Sequence, residues 1–276
     1  MTLRSNSFSM KQAGFAARVS PRTSDAFTLI EMLVVLVIIA LIAALALPHI
    51  RGHTESVAIK AAANQLVSDL SYARQKAISQ RSTVAVVFLT DAIFNAAQVN
   101  PALATLPDEK KAIDRLQGGV FTHYAVYSFR KAGEQPGRAS AGYLTEWKAL
   151  PEKTFLSTNS DAISRNISVE TLEKTNFFPF PFSASANKPF LPYIAFDGDG
   201  RLTRLADKAT GRGGPWQGDY ASLCVARGAV FYGRDEQGVL TGAVEFQETP
   251  PFNGTNNIVL VDALSGRAKH EETPLQ

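Results

Sequence analysis

The chain has 276 residues, 45% of them apolar and 19% charged, with 19 Gly, 14 Pro and a mean hydropathy of −0.03. Those values exclude a disordered tail, a collagen-like repeat and a polytopic membrane protein, and they leave ample apolar material for a core. One cysteine, Cys224, excludes an internal disulfide and a multi-cysteine zinc site. The net charge of +3 is local: Arg4, Lys11, Arg18, Arg22 and Asp25 all precede Phe27, and removing them from totals of 28 and 25 leaves 24 of each sign. A globally basic, nucleic-acid-binding chain is therefore not indicated.

Phe27 to Leu47 reads FTLIEMLVVLVIIALIAALAL, 21 residues with a single charge, Glu31. As an α-helix it would extend about 31 Å, the thickness of a bilayer core. The basic residues before it, against the less basic His49–His53 stretch after it, orient the N-terminus to the cytoplasm. A secretory signal has a shorter apolar region and a small-residue cleavage site, whereas this run ends in Leu47-Pro48. A carboxylate within a bilayer costs about 2.5–3.5 kcal/mol and calls for a partner. A cut before Phe27 would leave an α-amino group four residues from Glu31, able to neutralise it on the same or a neighbouring subunit; snorkelling to the interface is the alternative.

From Glu55 to Arg81 the rhythm stays helical, with Leu66, Leu70, Ala73 and Ala77 on one face. One long helix, bent at Pro48 and wrapped by a sheet, is the simplest arrangement. The pattern then turns to strand at Thr83–Thr90 and Gly119–Phe129, with a short helix at Asp108–Leu116 between them. Tyr143–Leu150 and Lys153–Leu156 flank Pro151, and Phe177–Phe182 reads as an extended packed loop. Tyr193–Phe196, the turn Asp197–Gly200 and Arg201–Leu205 form a hairpin. Gly228–Tyr232, Ala243–Gln247 and Asn257–Asp262 follow as strands, the last closed by Ser265-Gly266-Arg267. The expected fold is α+β, a long N-terminal helix packed on an antiparallel β-sheet head.

Asp25-Ala26-Phe27-Thr28-Leu29-Ile30-Glu31, the apolar run and Pro48 together resemble the type IV prepilin class: pilins, minor pilins and type II secretion pseudopilins. The resemblance implies cleavage between Ala26 and Phe27 by a prepilin peptidase, N-methylation of Phe27, and packing of the helix in a filament core through Glu31 and a kink-forming Pro48. One departure is Ala26, where the class usually carries Gly. Ala73-Arg74, Ala77-Ile78, Val84–Phe88, Trp147–Pro151, Ile194–Gly200 and Ile258–Asp262 with Gly266-Arg267 are similar to the H-type minor pseudopilins and related minor pilins. The organisation implied is a removed leader over 1–26, a transmembrane and filament-core helix over 27–48, an amphipathic periplasmic half over 49–81, and a head over 82–276. Insertions near 91–118 and 157–190 set this head apart. The implied partners are other pseudopilins or pilins, the prepilin peptidase and an inner-membrane assembly platform; the implied location is the inner membrane, single-pass with a periplasmic head, and then a filament.

Catalytic machinery is not legible. His49 and His53 have i, i+4 spacing but no third ligand nearby, and read as a hydrated segment after the membrane. Asp197-Gly198-Asp199-Gly200 opens like a calcium loop, yet the position for the closing acid is Lys208, which favours a hairpin turn. Gly211–Gly214 reads as a flexible loop and Cys224 as a buried strand residue. Arg201, Arg204, Lys208 and Arg212 form a basic cluster, either a solvated hairpin or a phosphate-contacting DNA patch. The expectation is a non-enzymatic assembly subunit without cofactor or metal. The alternative is a DNA-binding minor pilin acting in uptake or adhesion.

Overall fold

The structure, a computed structural model, describes residues 28–94, 107–130, 140–158, 162, 166–236, 240–249 and 255–274; at 43–56, 107, 255–256 and 273–274 it describes backbone alone. The leader with Ala26 and Phe27 lies outside these residues, as do the side chains of Pro48, His49 and His53. Two compact units divide the chain, Met1–Ile50 and Arg51–Gln276.

Helix α1 covers Leu29–Gln80 as one helical assignment that continues through Pro48. Its start is fixed by Thr28, whose Oγ1 accepts the Glu31 N–H and whose carbonyl accepts the Met32 N–H, both at 3.2 Å. Thr28 and Glu31 therefore have capping-box spacing. From Leu29 to Ile42 apolar side chains are exposed all round the helix, with Leu29 85% and Ile42 60% accessible. A helix apolar on every face needs cover from lipid or from other helices. Among the described residues no helix is long and apolar enough to cross a membrane; the run expected to do so, Phe27–Leu47, extends past the last described side chain of this segment at residue 42.

In the second unit the expected stripe is buried. Leu66, Leu70, Ala73 and Ala77 are fully inaccessible, together with Ala62 and Ala63. They belong to the same core as β1, Val84–Phe88, whose five residues are all buried. A strand enclosed on both faces reads as an unbroken apolar run, as VAVVF does. Strand β1 pairs antiparallel with β2 (His123–Ser128) and β7 (Leu191–Phe196), so that Val86 faces Val126 on one side and Ile194 on the other. Among the described residues this sheet has seven strands in the order β3-β2-β1-β7-β6, with β3 at Gly142–Tyr143 and β6 at Lys174–Thr175. Strand β4 (Lys148–Ala149) also pairs with β2, and β8 (Leu202–Thr203) with β7. The hairpin expected around Asp197–Gly200 is this β7–β8 pair.

The second sheet holds β5 (Thr154–Leu156), β9 (Tyr220–Arg234), β10 (Leu240–Glu248), β11 (Thr255–Asp262) and β12 (Ala268–Pro274), in the order β10-β9-β11-β12 with β5 on β9. Two expectations need correcting here. The strand expected at Gly228–Tyr232 is the second half of a 15-residue strand. Gly228 punctuates it because a Cβ there would lie 1.8 Å from the Gln247 carbonyl oxygen, at the point where β9 passes from pairing with β11 to pairing with β10. Strand β12 was not expected, since AKHEETP is polar; it forms as an outer strand whose ladder runs to β11. A third correction shortens Gly119–Phe129 to β2. Phe121 has φ +62°, and the N–H groups of Thr122 and His123 turn back to the Gly119 carbonyl.

Both insertions carry structure. Helix α2, Pro107–Gln117, matches the short helix expected, and Ser185 Oγ donates to the buried Glu109 carboxylate on it. The Phe177–Phe182 tract is a packed loop, as expected. Phe178 and Phe180 are fully buried, the Tyr143 hydroxyl donates to the Pro179 carbonyl at 2.7 Å, and Trp147 Nε1 donates to that of Pro181 at 3.0 Å.

The unit boundary at Ile50 sets an expectation: a chain lacking residues 1–52 folds as a soluble head with one cooperative urea transition. In that head Leu70→Ala lowers stability by about 2–5 kcal/mol, whereas Asn64→Ala, at an exposed position of the same helix, changes it by no more than about 0.5 kcal/mol.

Candidate functional site

Two regions of the described chain bear on function. The first is the start of α1. Glu31 is exposed within an otherwise apolar surface, in the first helical turn, where unpaired N–H groups favour a carboxylate. Its backbone N–H is held by Thr28; among the described residues nothing partners its carboxylate. The arrangement is a single acid on an uncovered apolar helix.

The second is a junction of three segments singled out in the sequence. Arg74 on α1 donates from Nε to the Gly200 carbonyl at 3.2 Å and to the Ser265 carbonyl at 2.8 Å. Gly200 (φ +79°) and Gly266 (φ +62°) stand back to back, and a Cβ on Gly266 would lie 1.9 Å from the Gly200 oxygen. Both turns are set by an aspartate. Asp197 Oδ1 accepts the N–H groups of Asp199 at 3.0 Å and Arg201 at 2.9 Å. Asp262 Oδ1 accepts that of Ser265 at 2.7 Å, which holds this carboxyl below its ordinary value. Asp197-Gly198-Asp199-Gly200 is thus the expected hairpin turn, with its first carboxylate oriented by backbone donors. Among the described residues no group of three His, Cys, Asp or Glu is placed to hold a metal ion.

The basic cluster does not form one patch. Arg204 pairs with Glu173 at 3.0 Å. Arg201 lines a groove with Trp216, Asp219 and Asp262. Lys208 lies 5.8 Å above the Phe177 ring and lines, with Arg212, a separate cleft that also holds Arg81 and Arg130. The sequence gave no signal of those last two, which come from distant turns. Gly211–Gly214, expected to be flexible, is tied down. The Arg204 N–H donates to the Gly214 carbonyl, Asp207 and Arg212 are joined through N–H and carbonyl, and a Cβ on Gly211 would lie 2.5 Å from the Phe129 ring.

The remaining candidates serve the fold. Cys224 is buried in β9 as expected. His123 Nδ1 lies 3.1 Å from the Gly119 carbonyl, and burial lowers its pKa; His270 Nε2 lies 3.1 Å from Asn257 Oδ1.

Residues 21–47 match the family model of the prokaryotic N-terminal methylation motif. Residues 62–228, more than half of the chain, match that of the type II transport protein GspH. The chain belongs to the GspH family. No curated protein and no solved structure matches it. The GspH match takes in the buried stripe of α1, the whole first sheet and β9 as far as Gly228, and the methylation motif takes in the exposed start of α1. Two modules therefore meet along one helix, and the GspH portion is the one with its own core. This GspH-family chain is a pseudopilin of type II secretion.

The depressed Asp262 pKa carries a pH dependence. A carboxyl lowered on folding contributes stability that is complete above its unfolded value, near 3.8, and is lost as pH falls through the folded value. Urea midpoints of the GspH head should therefore fall as pH drops below about 4, and Asp262→Asn should flatten that fall while lowering the plateau at neutral pH.

Proposed function

We propose that this chain is a non-enzymatic minor subunit of a type II secretion pseudopilus, anchored in the inner membrane with its head in the periplasm and then drawn into a filament. The observation that carries the reading is the union of a prepilin methylation motif with a GspH head through α1. The apolar surface from Leu29 to Ile42 supports it, because such a surface is stable only when covered. In this reading the prepilin peptidase removes residues 1–26, cutting after Ala26, and Phe27 becomes the methylated N-terminus. Residues 27–48 span the bilayer and later line the filament axis, with Pro48 at the exit. Residues 49–81 carry the head, and residues 82–276, with their two insertions, select neighbours or cargo.

Glu31 takes the assembly role. Once Phe27 is the first residue its amine is a cation in an apolar medium, and Glu31 of the same or an adjacent subunit is the available counter-charge. Removing one member of a buried ion pair leaves the other uncompensated, at a cost of about 3–5 kcal/mol. The DNA-binding reading draws less support, because Arg204 is already paired and the other three cations belong to two different grooves.

Two measurements test the proposal. Intact mass of the membrane-extracted protein should correspond to residues 27–276 plus one methyl group; a mature start at any other residue would refute the processing step. Glu31→Ala should be cleaved and inserted normally yet be missing from sheared filaments. Recovery of that variant in filaments at the level of the unchanged protein would remove Glu31 from assembly.

A further inference from the structure

The sequence-distant cations around the C-terminal end of α1 form a site to which the pseudopilin reading gives no task. Arg81, Arg130, Lys208 and Arg212 wall a cleft of about 580 Å³, with the hydroxyl-bearing residues Ser82, Thr83 and Thr210 between them and Phe129 beneath. Among the described residues no carboxylate lines it. The nearest in sequence, Asp207, has its oxygens engaged by the Ala209 N–H and the Thr210 hydroxyl, both at 2.8 Å. Four cations converging on one concavity, in a chain whose remainder beyond Phe27 is electrically balanced, mark a local demand for negative charge.

The backbone of this cleft is built and held. Arg81 ends α1 in the left-handed region at φ +46°. The Ser82 N–H donates to the Ala77 carbonyl and that of Arg81 to Ile78, the pattern of a Schellman cap with Arg81 at the position glycine normally takes. An arginine there costs conformational energy that glycine would not, and strain of this kind concentrates where a side chain has a task. The opposite wall is equally fixed, since the 207–212 loop closes on itself through the Gly211 N–H to the Asp207 carbonyl and sits on Phe129. The cations are thus presented by rigid backbone, and less ordering is required when a ligand arrives.

We propose that this cleft binds a compact, multiply charged oxyanion, a phosphomonoester group. Three guanidinium groups match phosphoryl oxygens in planar, two-pronged fashion, the ammonium adds a point charge, and the hydroxyls reach the oxygens that remain. A closed concavity suits one dianion better than an extended acidic peptide, which needs cations strung along a groove. The same chemistry is offered by a soluble phosphate and by a lipid headgroup. The site does not rest on filament assembly, and its failure would leave the processing and Glu31 tests untouched.

The test is calorimetric titration of the full chain in neutral detergent at low salt, with inorganic phosphate, glycerol phosphate and dihexanoyl phosphatidic acid as probes. The expected result is submillimolar, one-to-one binding of at least one probe. Arg212→Ala and Arg81→Gly should each weaken it by about tenfold or more, whereas Arg201→Ala, in the other groove, should leave it unchanged. Arg81→Gly should not lower the melting temperature, because glycine relieves the cap, so its loss of binding is not unfolding. Equal binding of phosphate and phosphatidic acid identifies a soluble ligand, and preference for phosphatidic acid identifies a headgroup. Absence of binding by all three probes, or binding indifferent to Arg81→Gly and Arg212→Ala, would overturn the proposal. So would binding of duplex DNA alone, undisplaced by phosphate.

Discussion

The fold depends on one contact, the burial of a narrow stripe of α1 against the enclosed strand β1. Leu66 and Leu70 supply volume, and Ala73 and Ala77 supply none beyond a methyl group, so the backbone of the helix can lie close to the sheet. An isolated helix with this much polar surface is marginal in water; with its stripe covered it becomes the rod on which the other parts are mounted. The polar residues beside the stripe then act as fasteners. Asp69 accepts the Tyr124 hydroxyl at 2.6 Å and the Lys148 ammonium at 2.7 Å, and Gln80 accepts the Ser128 hydroxyl at 2.9 Å. Apolar burial supplies the driving force, and these bonds set the register between helix and strands.

What the sequence disclosed follows from which interactions are local. The helical stripe, β1, the hairpin at Asp197–Gly200 and the packed aromatic-proline loop are all legible, because period, turn chemistry and aromatic clustering are properties of short windows. Strand β12 was not legible: Ala268 to Pro274 has no apolar alternation, and its strand character comes wholly from hydrogen bonds to β11. The continuity of β9 through Gly228 was hidden for a related reason, since glycine there reflects the close approach of another backbone rather than a chain break. Of the candidate sites, the methylation motif and Glu31 were evident from residue order alone. The division of the basic cluster was not, because Glu173 meets Arg204 only through tertiary packing, and Arg81 and Arg130 reach Lys208 and Arg212 only once the helix end and the 207–212 loop are in place.

The two insertions show how a family scaffold acquires an individual surface. Helix α2 and the 177–187 loop are joined through Glu109 and Ser185, and with Tyr143, Trp147 and Phe182 they bound a cleft of about 820 Å³. Neither insertion interrupts a ladder of the first sheet. Added chain is tolerated at such positions because a longer loop costs little extra closure entropy, provided it brings its own apolar side chains. Phe178 and Phe180 do this by packing within 6 Å of Tyr127 and Trp147.

The bonds made by Arg74 also bear on the order of events during synthesis. Its partner Ser265 lies 191 residues further along the chain, and β1, near the start of the head, is complete long before β11 and β12 have been made. Contacts of such separation form late and carry a large entropic cost. A nascent chain leading with its N-terminus therefore carries α1 with one junction unfilled until almost its last residues emerge. Over that interval its apolar stripe is only partly covered, and the chain is exposed to aggregation and to proteases. The final two strands thus act as the closing step of the head, and a truncation of a dozen residues at the C-terminus is expected to be felt at the opposite end of the sequence.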